Sequence, residues 1–372
     1  MIDTRGPAPD WITDEAQLQD WCSKSADDGV LAIDTEFERQ RTYFAELCLV
    51  QLACGGNVAC IDTLALGSTQ TLAALFGRPD KRKIIHAARQ DLEVLLYAGA
   101  AVAAPIEDTQ IAAALAGYSD QIGYADLVRE ILGVAVDKSQ TRTDWRRRPL
   151  SAAQLDYAAD DVRFLPELAA VLRERLDSLG RLAWYAEDCQ DINAVALLDP
   201  PVSDAWQRVK GLGGLSGVTL ARGIALATWR EEQARARNLP RGWVLKDNEL
   251  LAVVTRMPGN TRELTAVLDD NPAFVRRDGA DVLELLAATD PSMLPAALPE
   301  PPPTPAQREQ AKACASAMRG RAKELGLEPA VLLTRREIES IVAGRVPSRL
   351  SSGWRGQVLG DVVAKFLPAS TI

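Results

Sequence analysis

Two proline clusters constrain this 372-residue chain before any other feature is read. Pro200-Pro201, and the stretch from Pro295 to Pro305 with Pro299, Pro301, Pro302 and Pro303 inside it, suit neither a helix interior nor a central strand. Proline runs of this kind act as stiff spacers. They predict domains at 1–198, 204–290 and 306–372. The division agrees with a typical domain size of roughly 100 to 200 residues.

Only the first segment alternates strand and helix signals. Val30–Phe37, Leu47–Ala53 and Val58–Asp62 read as strands, Thr71–Phe76 as a helix, Lys83–His86 as a short strand and Arg89–Tyr97 as a helix. That order predicts an α/β domain with a mixed sheet flanked by helices. Beyond residue 150 the strand signals stop, and Leu-, Ala- and Arg-rich amphipathic stretches predict two all-α domains after the first.

Composition narrows the chemistry. No apolar run approaches the ~20 residues that cross a bilayer, and Asp3, Asp10, Asp14 and Glu15 occupy the place where a secretory signal would be basic and then apolar. A cytoplasmic protein without a membrane partner is expected. The six cysteines form no CxxC pair, so they read as small buried apolar residues. A single histidine, His86, excludes zinc hydrolases of the HExxH kind. The net charge is −9, yet Ala205–Lys246 holds eight basic residues against two acidic ones, and the chain from Pro305 onward holds 11 against 6. An acidic body with basic helical appendages suits a metal-dependent enzyme acting on a polyanion.

The acids themselves are patterned. Asp34 and Glu36 alternate along Leu31-Ala32-Ile33-Asp34-Thr35-Glu36-Phe37 and therefore share one strand face. The apolar run before them reads as a strand covered on both sides, where two adjacent carboxylates call for a cation. Asp91 falls in the first turn of the Arg89–Tyr97 helix, a place the helix dipole explains but also the carboxyl end of a strand, where open α/β sheets put their sites. Ser151 and Gln154 form a capping box that starts a helix, which puts Tyr157 and Asp161 on one face beside an apolar face of Leu155, Ala158, Val162 and Leu165.

Taken together, Asp34-x-Glu36, Asp91 and Tyr157-x3-Asp161 resemble the motifs of the DEDD exonuclease superfamily in its tyrosine subclass. His86-Ala87 with Asp91-Leu92-Glu93, then Lys138, Asp144-Trp145 and Arg148-Pro149-Leu150, resemble the bacterial ribonuclease D family in particular. Trp206–Lys246, with Leu239-Pro240-Arg241-Gly242-Trp243-Val244-Leu245-Lys246, is similar to the HRDC domain that follows the nuclease in that family. The resemblance covers most of the chain and is least clear after residue 305, where a second HRDC-like helical domain is expected.

The resemblance implies a ribonuclease H-like sheet and a 3′-to-5′ exoribonuclease that releases nucleoside 5′-monophosphates, with tRNA precursors and other small structured RNAs as substrates and no obligate protein partner. It implies two divalent ions, Mg²⁺ or Mn²⁺, with Asp34 bridging them, Glu36 and Asp161 completing the first site and Asp91 holding the second. Such carboxylate sites suit hard cations. Tyr157 would orient the attacking water, since a phenol with a reference pKa of about 10 is a poor base at pH 7. Lys138, Arg142, Trp145 and Arg148 lie in a loop of basic residues around one tryptophan, a pattern suited to single-stranded nucleic acid.

Three other features read as structural. Asp108 is an N-cap of the helix from Thr109, Gly211–Gly217 is a turn without a P-loop lysine, and His86 is a hydrogen-bonding residue beside the second motif. Two other functions remain open to this sequence: a DNA 3′-to-5′ exonuclease, because the acids do not read the sugar, and a non-catalytic nucleic-acid-binding protein, which the full set of acids disfavours.

Overall fold

Strands form only in the first part of the described chain. In the computed structural model, which describes residues 8–25, 29–137, 139–140, 143–190, 192–290 and 303–367, these are β1 (Asp10–Ile12), β2 (Val30–Glu38), β3 (Glu46–Cys54), β4 (Asn57–Asp62), β5 (Arg82–Ile85) and β6 (Ile106–Asp108). They make one sheet in the order β1-β4-β3-β2-β5-β6. β2 pairs antiparallel with β3 and parallel with β5, so the sheet is mixed as expected. Leu31, Ala32 and Ile33 of β2 and Leu49, Val50 and Leu52 of β3 are fully buried, which is why these two strands are the apolar runs in the sequence.

Helices flank the sheet: α1 (Glu15–Lys24), α2 (Thr63–Leu66), α3 (Gln70–Phe76), α4 (Arg89–Tyr97), α5 (Thr109–Ala116), α6 (Tyr124–Leu132), α7 (Ala152–Arg163), α8 (Leu165–Ser178) and α9 (Leu182–Cys189). α7 starts on the capping box of Ser151 and Gln154 and buries Ala158, Ala159 and Val162. The register between β2 and β3 shifts between Glu36 and Phe37. Such an irregularity re-aims side chains beside a site.

The chain divides into two compact units rather than three. One unit joins Met1–Glu38, Glu46–Leu198 and Pro303–Ile372, and the other joins Arg39–Ala45 to Asp199–Pro302. The segment expected as a separate domain at 306–372 shares a core with the nuclease helices: Cys314, Met318, Leu332, Ile341 and Leu359 belong to the same cluster as Leu115, Leu172 and Tyr185. Trp184 stacks on Trp354 with ring centres 4.4 Å apart, and Arg355 grips the Asp188 carboxylate at 2.5 and 2.8 Å. A proline run separates segments along the chain, but apolar helix faces decide what they pack against.

In the other unit, helices Gly217–Ala236, Asp247–Arg256 and Pro272–Ala288 surround Leu226, Leu250, Val253, Phe274 and Val282. The arginines between Ala205 and Lys246 are mostly turned to ion pairs. Arg208 and Arg241 bind Glu231, Arg230 binds Asp247, Arg235 binds Asp199 and Arg237 binds Asp278. The basic excess counted over Ala205–Lys246 therefore works largely inside the unit. After residue 303, Arg308, Arg319, Lys323 and Arg336 on helices and Lys365 in the turn after the last one are exposed.

All six cysteines are free, and Cys22 is only half-buried where burial was expected.

Candidate active site

β2, the first turn of α4 and one face of α7 bring the acids together. Asp34, Thr35, Glu36 and Phe37 of β2, His86, Ala87, Gln90 and Asp91 at the start of α4, Tyr124 of α6, and Tyr157 and Asp161 of α7 line one cavity of about 370 Å³. The five residues read from the three sequence motifs all meet there. A larger cavity of about 870 Å³ beside β6 and α9 holds no such convergence of acids, so volume is not what marks the site.

The acids repel one another. Burial, then Asp91, Asp161 and Glu36, hold Asp34 well above the usual carboxylate range. Burial, Asp161 and Asp91 push Glu36 up to about 8. Asp161 rises to about 7 through burial, Asp160 and Asp91. Burial lifts Asp91 to about 6 against the pull of Thr35, whose hydroxyl donates to Asp91 Oδ1 at 2.5 Å. Among the described residues, no arginine or lysine is a leading cause of these four shifts.

Clustered, shifted carboxylates in a cleft are the electrostatic mark of a functional site. Among the described residues, no three Asp, Glu, His or Cys side chains close around an ion. The donor chemistry nevertheless fits hard divalent cations: oxygen ligands only, with a mutual repulsion that a cation relieves.

Two contributions were not foreseen from sequence. Tyr124 donates its phenol hydrogen to the Asp160 carbonyl at 2.7 Å and meets His86 edge-on, so it braces both α7 and the second motif. Gln51 stands directly opposite Asp34 in the β2–β3 register, fully buried, with neither side-chain polar atom hydrogen-bonded. Its place on a strand that reads as continuous core was the only signal.

The loop expected to bind substrate divides. Lys138 and Arg142 lie outside the described residues. Trp145 is buried, with its ring 6.1 Å from that of Tyr157, so it supports the tyrosine instead of offering an open stacking face. Arg148 donates to both oxygens of Asp62 at 2.7 and 2.6 Å and to the carbonyls of Cys48 and Trp145, which makes it an anchor of the loop. His86 is structural, as expected: its nitrogens meet Thr109 Oγ1 at 2.9 Å and the Ile122 carbonyl at 3.0 Å, and burial lowers its pKa.

The sequence pattern of the 3′-5′ exonuclease family matches residues 9–177, and that of the HRDC domain matches residues 221–286. Curated ribonuclease D of Pseudomonas paraeruginosa is 34% identical over 374 residues, covering 98% of this chain and 99% of that protein. The chain belongs to the ribonuclease D family.

Ribonuclease D of a Jannaschia species is 37% identical, covering 96% of this chain and 95% of that protein. The crystal structure of Escherichia coli ribonuclease D superposes with a TM-score of 0.86 at 31% identity, covering 97% of this chain and 98% of that one. As a member of this family the chain is a 3′-5′ exoribonuclease that uses divalent metal and acts on RNA. Among the described residues no helix is long and apolar enough to cross a membrane.

Proposed function

We propose that this exoribonuclease trims the 3′ ends of tRNA precursors and other small structured RNAs, releasing nucleoside 5′-monophosphates one at a time with two Mg²⁺ or Mn²⁺ ions. The observation that carries the reading is the shared cavity of Asp34, Glu36, Asp91, Asp161 and Tyr157. Escherichia coli ribonuclease D is described as an exoribonuclease involved in structured RNA processing, which supports the substrate class.

Bound at these carboxylates, divalent ions would offset charge on the scissile phosphate and lower the pKa of the attacking water. In this reading Asp34 would serve both ions, Glu36 and Asp161 would complete the first site, and Asp91 would hold the second. Thr35 fixes the Asp91 carboxylate through its hydroxyl. Tyr157, backed by Trp145, would orient the attacking water. A rigid ring behind the phenol matters because alignment of the reacting atoms carries much of the rate. The exposed cations Arg308, Arg319, Lys323, Arg336 and Lys365 would be available to the phosphates of a structured substrate.

Matched 5′-labelled oligonucleotides of RNA and DNA, with and without a tRNA-like fold, test the reading. A ladder shortening from the 3′ end of RNA, abolished by EDTA and restored by Mg²⁺ or Mn²⁺, is expected. Equal digestion of the DNA would move the assignment to a DNA exonuclease, and turnover in excess EDTA would remove the metal role.

A further inference from the structure

The second motif depends on a turn that its own sequence does not stabilise. β5 ends at Ile85 and α4 begins at Arg89, leaving three residues to reverse the chain without a glycine. Ala87 takes φ 56°, in the left-handed region that a non-glycine residue rarely adopts. Ala88 stands at the N-cap of α4 and offers no capping side chain. Such backbone persists only where neighbours over-determine it, and that happens most often at functional sites.

The neighbours are Asp108 and Thr109, at the junction of β6 and α5. Asp108 Oδ1 accepts from the Ala87 amide at 3.0 Å and Oδ2 from the Ala88 amide at 2.8 Å. The same carboxylate accepts from Gln110 and Ile111, capping α5. One buried side chain therefore ties the starts of α4 and α5 together. Beside it, the hydroxyl of fully buried Thr109 meets His86 Nδ1, so all three residues of the turn are held. The N-cap expected from sequence describes half of what Asp108 does.

We infer that Asp108, with Thr109, is a positioning residue that holds Ala87 in its left-handed conformation and so sets Asp91 in the active site. The inference rests on the assignment of Asp91 as a site acid. Asp91 lies in the first turn of α4, so freedom at Ala87 and Ala88 becomes freedom of its carboxylate. Small displacements of such groups lower turnover steeply.

The test uses the full-length chain with Asp108→Asn, which keeps the shape but replaces one acceptor oxygen with an NH₂ facing amide hydrogens. Turnover of a short RNA should fall about 10- to 100-fold, with KM changed by less than about twofold, the signature of a lost transition-state interaction. Independently of activity, Mn²⁺ should bind the metal-free variant more weakly by calorimetry, and hydrogen exchange should quicken at the Ala88 amide. Glycine adopts the left-handed region without steric penalty, so Ala87→Gly added to Asp108→Asn should recover at least about half of the loss on a logarithmic scale.

Undiminished turnover and Mn²⁺ affinity in Asp108→Asn, or no recovery in the double variant, overturns the inference. Asp91→Asn runs alongside. If it too is fully active, the error lies in assigning Asp91 to the site; if it is inactive while Asp108→Asn is not, the clasp alone fails. Should Asp108→Asn not fold, Thr109→Val loosens the same turn from His86 without touching the α5 cap. It should lower turnover at unchanged KM, and unchanged turnover overturns the inference.

Discussion

Glu36 and Glu231 are both withdrawn from bulk water, and the protein treats them in opposite ways. Glu36 is surrounded by Asp34, Asp91 and Asp161, and its pKa is pushed up to about 8. Glu231 accepts from Tyr43 at 2.6 Å, from Arg208 at 3.0 Å and from Arg241 at 2.5 and 2.7 Å. Burial raises its pKa, but those hydrogen bonds and charges outweigh burial and hold it below the usual range. Asp278 follows Glu231, with Arg237 and Arg277 outweighing burial. A buried acid supplied with its own cations belongs to the fold, whereas buried acids left to repel one another await a cation from outside.

Asp34→Asn should separate the two classes most sharply. Removing the acid that the other three press upon should lower turnover by at least about a thousandfold. The metal-free protein should melt no lower than the parent, because the substitution relieves repulsion. Thermal melts in EDTA beside turnover in Mg²⁺ measure both effects. A large drop in melting temperature would place Asp34 with Glu231 as a structural acid.

Glu231→Gln should behave in reverse. It leaves the Arg208 and Arg241 guanidiniums and the Tyr43 hydroxyl without a charged acceptor, and breaking a buried pair costs about 3 to 5 kcal/mol. Because Arg208 and Arg241 are 40% and 41% exposed, water takes up part of that loss, and about 2 kcal/mol is expected. Urea unfolding gives the stability change, and turnover of a short RNA should stay within about twofold. If turnover falls while the urea midpoint holds, Glu231 has a role at the site.

The two classes differ in how far sequence reveals them. The site acids were legible because each sits on a local pattern: alternation in β2, the first turn of α4, and the i, i+4 face of a capped α7. The partners of Glu231 were not, because Tyr43 lies 188 residues away and the count of arginines over Ala205–Lys246 carries no record of what each one meets. The anchoring of Arg148 is hidden for the same reason, since Asp62 is 86 residues distant. An aromatic among basic residues reads as a stacking platform, but Trp145 is buried beside Tyr157, a packing that local sequence does not record. The segment after the second proline run looked independent, but its apolar helix faces complete the core that Leu115 and Tyr185 begin.

The smallest effect is a difference in sign with pH. Unfolded carboxylates titrate near pH 4, whereas Asp91, Asp161 and Glu36 titrate in the fold at about 6, 7 and 8. Between those limits the folded chain holds more protons than the unfolded one, so metal-free stability must fall as pH rises. A loss of about 1 to 2 kcal/mol from pH 5 to pH 8 is expected once relaxation of the cluster is allowed for. Glu231 and Asp278 act the other way: their lowered pKa values contribute stability above about pH 4 that is lost as pH falls through the folded values. Asp34→Asn should therefore flatten the neutral-to-alkaline side of the profile and Glu231→Gln the acid side. Saturating Mg²⁺ should erase only the first slope, because a cation at the site replaces the protons that the acids otherwise need. An alkaline slope that persists in Mg²⁺ would mean that its source lies away from these acids.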